Sequence, residues 1–263
     1  MSELVHELVR IEKENGIATV TIDNPPLNVM NQQVVQELDQ SFQQLEQDSE
    51  VVVVIVTGAG SKAFMAGADI KEFPQLIGRS GIKKNFMQNH HVFNYIDAFP
   101  KPTIAVLNGL TFGGGCELTL LCDIRIAEEH AQLGLPEIKL GLFPGGGGTQ
   151  RLPRLIGEAK AKELMFTGQP ISAEEAKQLG LVNQVAPTGE GLLVAKELAR
   201  KISRHSLQAL SRIKQAVDEG AHLSLEAGIE REAELFEEVF QTEDIREGVQ
   251  AFIEKRRAHF THR

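Results

Sequence analysis

Six consecutive β-branched residues, Val51-Val52-Val53-Val54-Ile55-Val56, constrain the fold of this chain more than any other feature. Branching at Cβ restricts χ1 and crowds a helix, whereas the same side chains pack well on a pleated surface. No polar residue interrupts the run, so neither face of the strand suits water and both require cover. A strand covered on both faces belongs in a sheet with helices on either side. Asn31 is placed to cap a preceding helix on which Val35, Leu38, Phe42 and Leu45 recur at three- and four-residue spacing.

The surrounding patterns extend this reading. Leu8–Ile11 and Ile17–Ile22 alternate apolar and polar residues around Glu14-Asn15-Gly16, a hairpin signal. A helical stretch near residues 82–97 precedes an apolar strand, Thr103–Leu107, and Asp123–Ala127 reads as a further strand. Strands alternating with helices predict βαβ units with right-handed crossovers, an α/β class. From Ala173 onward only Val182–Val185 looks extended; the rest reads as helices broken at Pro187-Thr188-Gly189, His205-Ser206 and Gly220. No internal repeat, low-complexity segment or flexible linker divides the chain.

With 263 residues and a formal net charge of −9, the chain has ample core and little attraction for nucleic acid or an anionic membrane, both of which want a basic face. The longest apolar run, Val51–Val56, is too short to span a bilayer. The opening MSELVHELVRIEKENG carries charge from its first residues, so no secretory or transit segment is expected there. Cys116 and Cys122 lack Cys-x-x-Cys spacing and read as buried free thiols, which suits a reducing cytoplasm. The eight histidines show no metal-ligand spacing; His90-His91 and His259/His262 read as solvated helix faces, and no metal site is expected.

Two glutamates carry the functional signal. Glu117 stands two residues after the run Gly113-Gly114-Gly115, where glycine marks a turn or close backbone approach, and Cys116–Cys122 reads as a short apolar helix. The N–H of Gly114 or Gly115 would be an unpaired donor at that helix N-terminus, suited to an oxyanion. Ala66-Gly67-Ala68-Asp69-Ile70-Lys71-Glu72 follows the first buried strand as a tight turn and helix start, and offers a second donor near Ala68. Glu137, after Pro136, is the second carboxylate. Pro144-Gly145-Gly146-Gly147-Gly148-Thr149-Gln150-Arg151 lacks the Lys of a P-loop, and no dinucleotide fingerprint is present; its glycines suit backbone packed close to a catalytic centre.

Taken together, Ala66–Glu72, the stretch from Lys101-Pro102 to Cys122-Asp123, and Leu135–Arg151 resemble the crotonase superfamily, specifically its enoyl-CoA hydratases. The similarity continues through Phe166-Thr167-Gly168 to Glu247-Gly248 and Ala251–Arg256. It implies a spiral ββα core over residues 1–200 and a helical trimerisation region over residues 201–263, in trimers or in hexamers built of two trimers. It also implies hydration of trans-2-enoyl-CoA to 3-hydroxyacyl-CoA. The thioester oxygen would lie between the N–H groups of Ala68 and Gly114, with Glu117 activating water for C3 and Glu137 delivering a proton to C2. Coenzyme A would be held by Ala66, Asp69, Ile70 and Lys71, with Lys62 near phosphate, Gly145 beside the substrate, and Phe236 and Lys255 reaching it across a subunit boundary. The substrate brings its own coenzyme A and no other cofactor is implied.

Three alternatives compete. A Δ3,Δ2-enoyl-CoA isomerase works with one carboxylate, so the presence of both Glu117 and Glu137 favours hydration. An RNA-binding role wants a lysine-rich helix, and Ile82–Ile96 offers only Lys83-Lys84. An inactive scaffold would not need both carboxylates and the glycine loops intact.

Overall fold

The computed structural model describes residues 7–263; the start of the N-terminal segment read above, residues 1–6, lies outside that range. Strands β1 (Val9–Glu14) and β2 (Ile17–Ile22) form the expected antiparallel hairpin. Asn15 and Gly16 have φ of 52° and 80°, the left-handed pair that a two-residue hairpin turn of this hand requires. Helix α1 (Gln32–Gln47) starts where expected, with Asn31 Oδ1 accepting the Val34 N–H at 2.9 Å.

Strand β3 (Val53–Gly58) is buried along its whole length, as the β-branched run predicts. Its side chains divide between two cores. Val54 and Val56 join Leu38 and Phe42 of α1, while Val53 and Ile55 pack with Ala195 and Ala199 of α7 (Gly191–Ile202) on the opposite face. The main sheet has the order β1-β2-β3-β5-β7-β10, where β5 is Thr103–Leu107, β7 Ile124–Glu128 and β10 Gln184–Ala186. A second sheet contains β4 (Ala63–Ala66), β6 (Leu110–Phe112), β8 (Gln132–Gly134) and β9 (Ile171–Ser172). Successive turns of chain, β3–β4, β5–β6 and β7–β8, each place one strand in each sheet, which is the ββα spiral.

That second sheet is absent from the periodicity reading, because three- and four-residue strands are too short to show a period. In consequence Ala66–Glu72 follows β4 rather than the first buried strand, and the helix start there is a 3-10 turn over Ile70–Gln75. The extended stretch expected at Val182–Val185 moves to β10, with Leu181 and Val182 buried as core plugs ahead of it. Helix α3 (Gly114–Thr119) ends earlier than Cys122. Buried Arg125 accounts for the ending, since its guanidinium donates to the carbonyls of Thr119, Cys122 and Leu181.

Helix α2 (Lys83–Asp97) covers the first ββα turn. Beyond α7 the chain is helical, with α8 (Leu207–Gly220), α9 (Leu225–Val239) and α10 (Glu243–Ile253). Lys214 of α8 ties this layer to the sheet through Asp123 at 2.8 Å. His262 corrects the expectation of a solvated helix face: it lies in the tail past α10 and its Nδ1 accepts the Leu207 N–H at 3.1 Å. On α9 only Leu235 is buried, whereas Leu225 and Phe236 are 81% and 64% exposed. Those apolar residues therefore do not close the core of their own chain. Among the described residues no helix is long and apolar enough to cross a membrane, and no cluster of His, Cys, Asp and Glu is set to hold a metal ion.

Candidate active site

The ends of β4, β6 and β8 in the smaller sheet bring three loops together. After β4, Ala68 forms a parallel bridge with Met30 in which Gly67 C=O accepts the Met30 N–H and Asp69 N–H donates to Met30 C=O, both at 2.8 Å. Alternation along such a ladder turns the Ala68 N–H to the other side. There it meets the turn after β6. The Ala68 nitrogen lies 3.8 Å from the point where a Cβ on Gly114 would stand. Gly114 opens α3, so its N–H has no carbonyl one turn back to receive it. Two amides from separate loops thus converge on one small region.

Glu117 sits one turn into α3 and is only 4% exposed. Its Oε1 accepts the N–H groups of Gly146 and Gly148 at 2.7 and 2.8 Å. Burial dominates and raises its carboxyl pKa, an effect that those amides and the nearby Arg151 guanidinium only partly offset. The glycine run is a steric necessity here, since a Cβ on Gly146 would stand 2.5 Å from Glu117 Oε2 and 2.9 Å from the Phe93 ring.

Glu137 lies in a 3-10 turn over Pro136–Leu140 that follows β8. Its Oε1 is 3.1 Å from the place of a Cβ on Gly113, and Gly113 C=O accepts the Glu117 N–H at 2.9 Å. The two carboxylates therefore flank one glycine turn. Glu137 Oε2 is buried and unpaired among the described residues. Burial, together with the negative charge of Glu117, raises its pKa to about 7. Both carboxyls are thus pushed up by burial, Glu117 against the pull of two amides and a cation, and Glu137 to about 7. Both cysteines are buried free thiols, as expected, and burial pushes each up to about 12.

The other residues singled out in the sequence are distributed less tightly. Ala66, Ala68 and Asp69 are half-buried on the β4 loop, where the Asp69 carboxylate accepts the Lys71 N–H at 3.1 Å; Ile70, Lys71 and Lys62 are exposed beside it. Gly145 is exposed, with the Phe86 ring of α2 3.8 Å from its Cβ position. Phe236 on α9 and Lys255 just past α10 are exposed. Met30 escaped the sequence reading, although it bridges Ala68 and its Sδ is 3.6 Å from the Gly114 Cβ position; a lone Met carries no local signal of such a contact.

A buried carboxyl and a half-buried one stand beside two converging amides on a ββα spiral, and the chain is an enzyme of the class its relatives define. The chain belongs to the enoyl-CoA hydratase/isomerase family, whose model matches residues 12–263. It is 45% identical to a short-chain-enoyl-CoA hydratase of Clostridium acetobutylicum over 95% of both chains. It is 40% identical to a crotonyl-CoA hydratase of Syntrophomonas wolfei over 98% of this chain and 99% of that one. The crystal structure of an enoyl-CoA hydratase from Bacillus anthracis superimposes with a TM-score of 0.91 at 38% identity, covering 97% of this chain and all of the other, so the fold is that of the crotonase superfamily.

Proposed function

We propose that this protein is a hydro-lyase that adds water to trans-2-enoyl-CoA thioesters to give 3-hydroxyacyl-CoA. The observation that carries the reading is the pair of carboxyls set around one glycine turn, one accepting two backbone N–H groups and the other with a buried, unpaired oxygen. In this reading ionised Glu117 takes a proton from water as its oxygen bonds C3. Electron density moves from the C2=C3 bond onto the thioester oxygen, which receives the N–H groups of Ala68 and Gly114. The protonated Glu137 then supplies the proton that C2 requires. Water addition is redox-neutral, so the reaction calls on no cofactor beyond the coenzyme A that arrives with the substrate. The loop of Ala66, Asp69, Ile70 and Lys71, with Lys62, is assigned to coenzyme A, and Gly145 to the substrate channel.

A panel of straight and branched enoyl-CoA thioesters, followed by loss of enone absorbance, tests this directly. Because short-chain and crotonyl-CoA hydratases are among the relatives, the highest kcat/KM is expected on four- to six-carbon chains, on the order of 10-fold above long ones. The pH profile carries a sign. Hydration needs Glu117 ionised and Glu137 protonated, so kcat/KM is expected to fall at low pH and also as pH rises through about 7. Those limbs belong to the coupled pair. A rate still rising above pH 9, or no turnover on any thioester, would refute the assignment. An isomerase reading survives only if a 3-enoyl-CoA is consumed faster than every 2-enoyl-CoA.

The partner assigned is a further copy of the chain, in a homotrimer or in a hexamer of two trimers, working in the cytoplasm without nucleic acid or membrane. Leu225, Ile229, Phe236, Phe240, Phe252 and Ile253 are all more than half exposed on α9 and α10, a larger apolar surface than isolated helices leave to water. In a trimer, Phe236 and Lys255 would complete the coenzyme A site of a neighbour. Light scattering is expected to return three or six times the chain mass of 28.9 kDa; the mass of a single chain at micromolar concentration would remove this assignment.

A further inference from the structure

A cation that none of the steps above uses lies behind the loop that holds Glu117. Arg151, in the first turn of α4 (Gly148–Ile156), folds its guanidinium back beneath Gly147. Its Nη1 occupies the space into which a Gly147 Cβ would project, and Gly147 has φ of 105°, so a side chain there is excluded on both counts. The guanidinium is clamped from the far side by the last turn of α2. Nε donates to Asp97 Oδ2 at 2.9 Å, Nη2 lies 2.8 Å from the same oxygen, and Nη2 donates to Asn94 Oδ1 at 2.9 Å. The residues flanking Gly147, namely Gly146 and Gly148, are the two whose amides bond Glu117 Oε1.

We propose that Arg151 is a positioning residue for the hydration reaction: clamped to Asp97 and Asn94, it fixes the 146–148 loop so that both amides stay aimed at Glu117, and it stations a positive charge behind that carboxylate. The inference rests on the reading of Glu117 as the base. Stability alone does not account for the clamp, because the Asp97 side chain is 44% exposed and an ion pair that wet contributes little to folding. The fork geometry matters, since a lysine would supply the charge but could not hold Asp97 and Asn94 in one plane. The charged and titratable groups that face Glu117 are Glu137 from the 3-10 turn, the Cys116 thiol beside it on α3, and Arg151 from α4. With the thiol pushed up to about 12 and so neutral near pH 7, Arg151 is the one group among them that opposes protonation of Glu117.

The test is the pH profile of crotonyl-CoA hydration by purified Arg151→Gln, Arg151→Lys and Asp97→Asn, with Glu117→Gln as reference and thermal unfolding as control. Arg151→Gln is expected to lower kcat about 10- to 100-fold, as loop misplacement of an ångström does, with KM changed less than about threefold. Its acid limb should move to higher pH, because the cation opposing Glu117 protonation is gone. Asp97→Asn leaves the guanidinium charge unopposed, so its acid limb should move the other way. Arg151→Lys should keep the limb near the wild-type position while recovering only part of kcat. Activity loss that merely tracks unfolding, with the acid limb unmoved in Arg151→Gln and Asp97→Asn alike, overturns the proposal while leaving Glu117 in place. Near-normal turnover in Glu117→Gln instead overturns the underlying assignment, and this inference with it. Should Arg151→Gln fail to fold, the opposite-direction shift in Asp97→Asn decides alone.

Discussion

Glu117→Gln and Glu137→Gln are each expected to lower kcat by about 10²–10⁴ while leaving affinity for a coenzyme A thioester product nearly unchanged, the usual scale for removing a positioned acid or base. The two losses have different physical origins. In Glu117→Gln the amide can still be bonded by Gly146 and Gly148 if its oxygen takes the Oε1 position, so the loop geometry survives and only proton uptake from water is lost. Glu137→Gln removes the group whose pKa of about 7 lets it donate near neutrality, so the alkaline limb of the profile should disappear along with the rate. The double variant should lose far less than the product of the single losses, because both carboxyls serve one addition step as a unit. Near-normal turnover in either single variant, in folded protein, would sink the paired mechanism.

Gly114→Pro is expected to reduce kcat by about 10²–10³ or more, the cost of deleting one oxyanion donor. Position favours a clean experiment: Gly114 is the first residue of α3, where proline is tolerated because its missing N–H has no partner within the helix. Gly114→Ala is the control. A Cβ there would meet Met30 Sδ at 3.6 Å, an ordinary contact, and the N–H is retained, so its loss should stay within about 10-fold and fall partly on KM. Equal, mild effects of the two substitutions would show that this amide does not receive the thioester oxygen.

Much of this molecule is written locally. The β-branched run at residues 51–56 could only be a strand covered on both faces, and β3 divides its side chains between two cores accordingly. Asn31 caps α1, and Asn15-Gly16 turns the hairpin, because those side chains and backbone angles act within a few residues of themselves. Glu117 stood out after three glycines for the same reason: glycine reports a backbone demand at its own position.

What the sequence could not express is everything that depends on segments distant along the chain meeting. The second sheet is made of strands of two to four residues, whose stability comes from neighbours and not from their own pattern. Only that sheet brings the Ala68 and Gly114 amides together and sets Glu137 beside the turn that carries Glu117. The glycines of residues 145–148 were legible as a site of close approach, but which carboxylate they approach was not, and Arg151 gave no sign of folding back to Asp97 across 54 positions. Local sequence dictated which elements form and which residues are chemically unusual; tertiary packing decided their protonation, because burial and through-space charge act on a carboxyl only after the chain has closed around it.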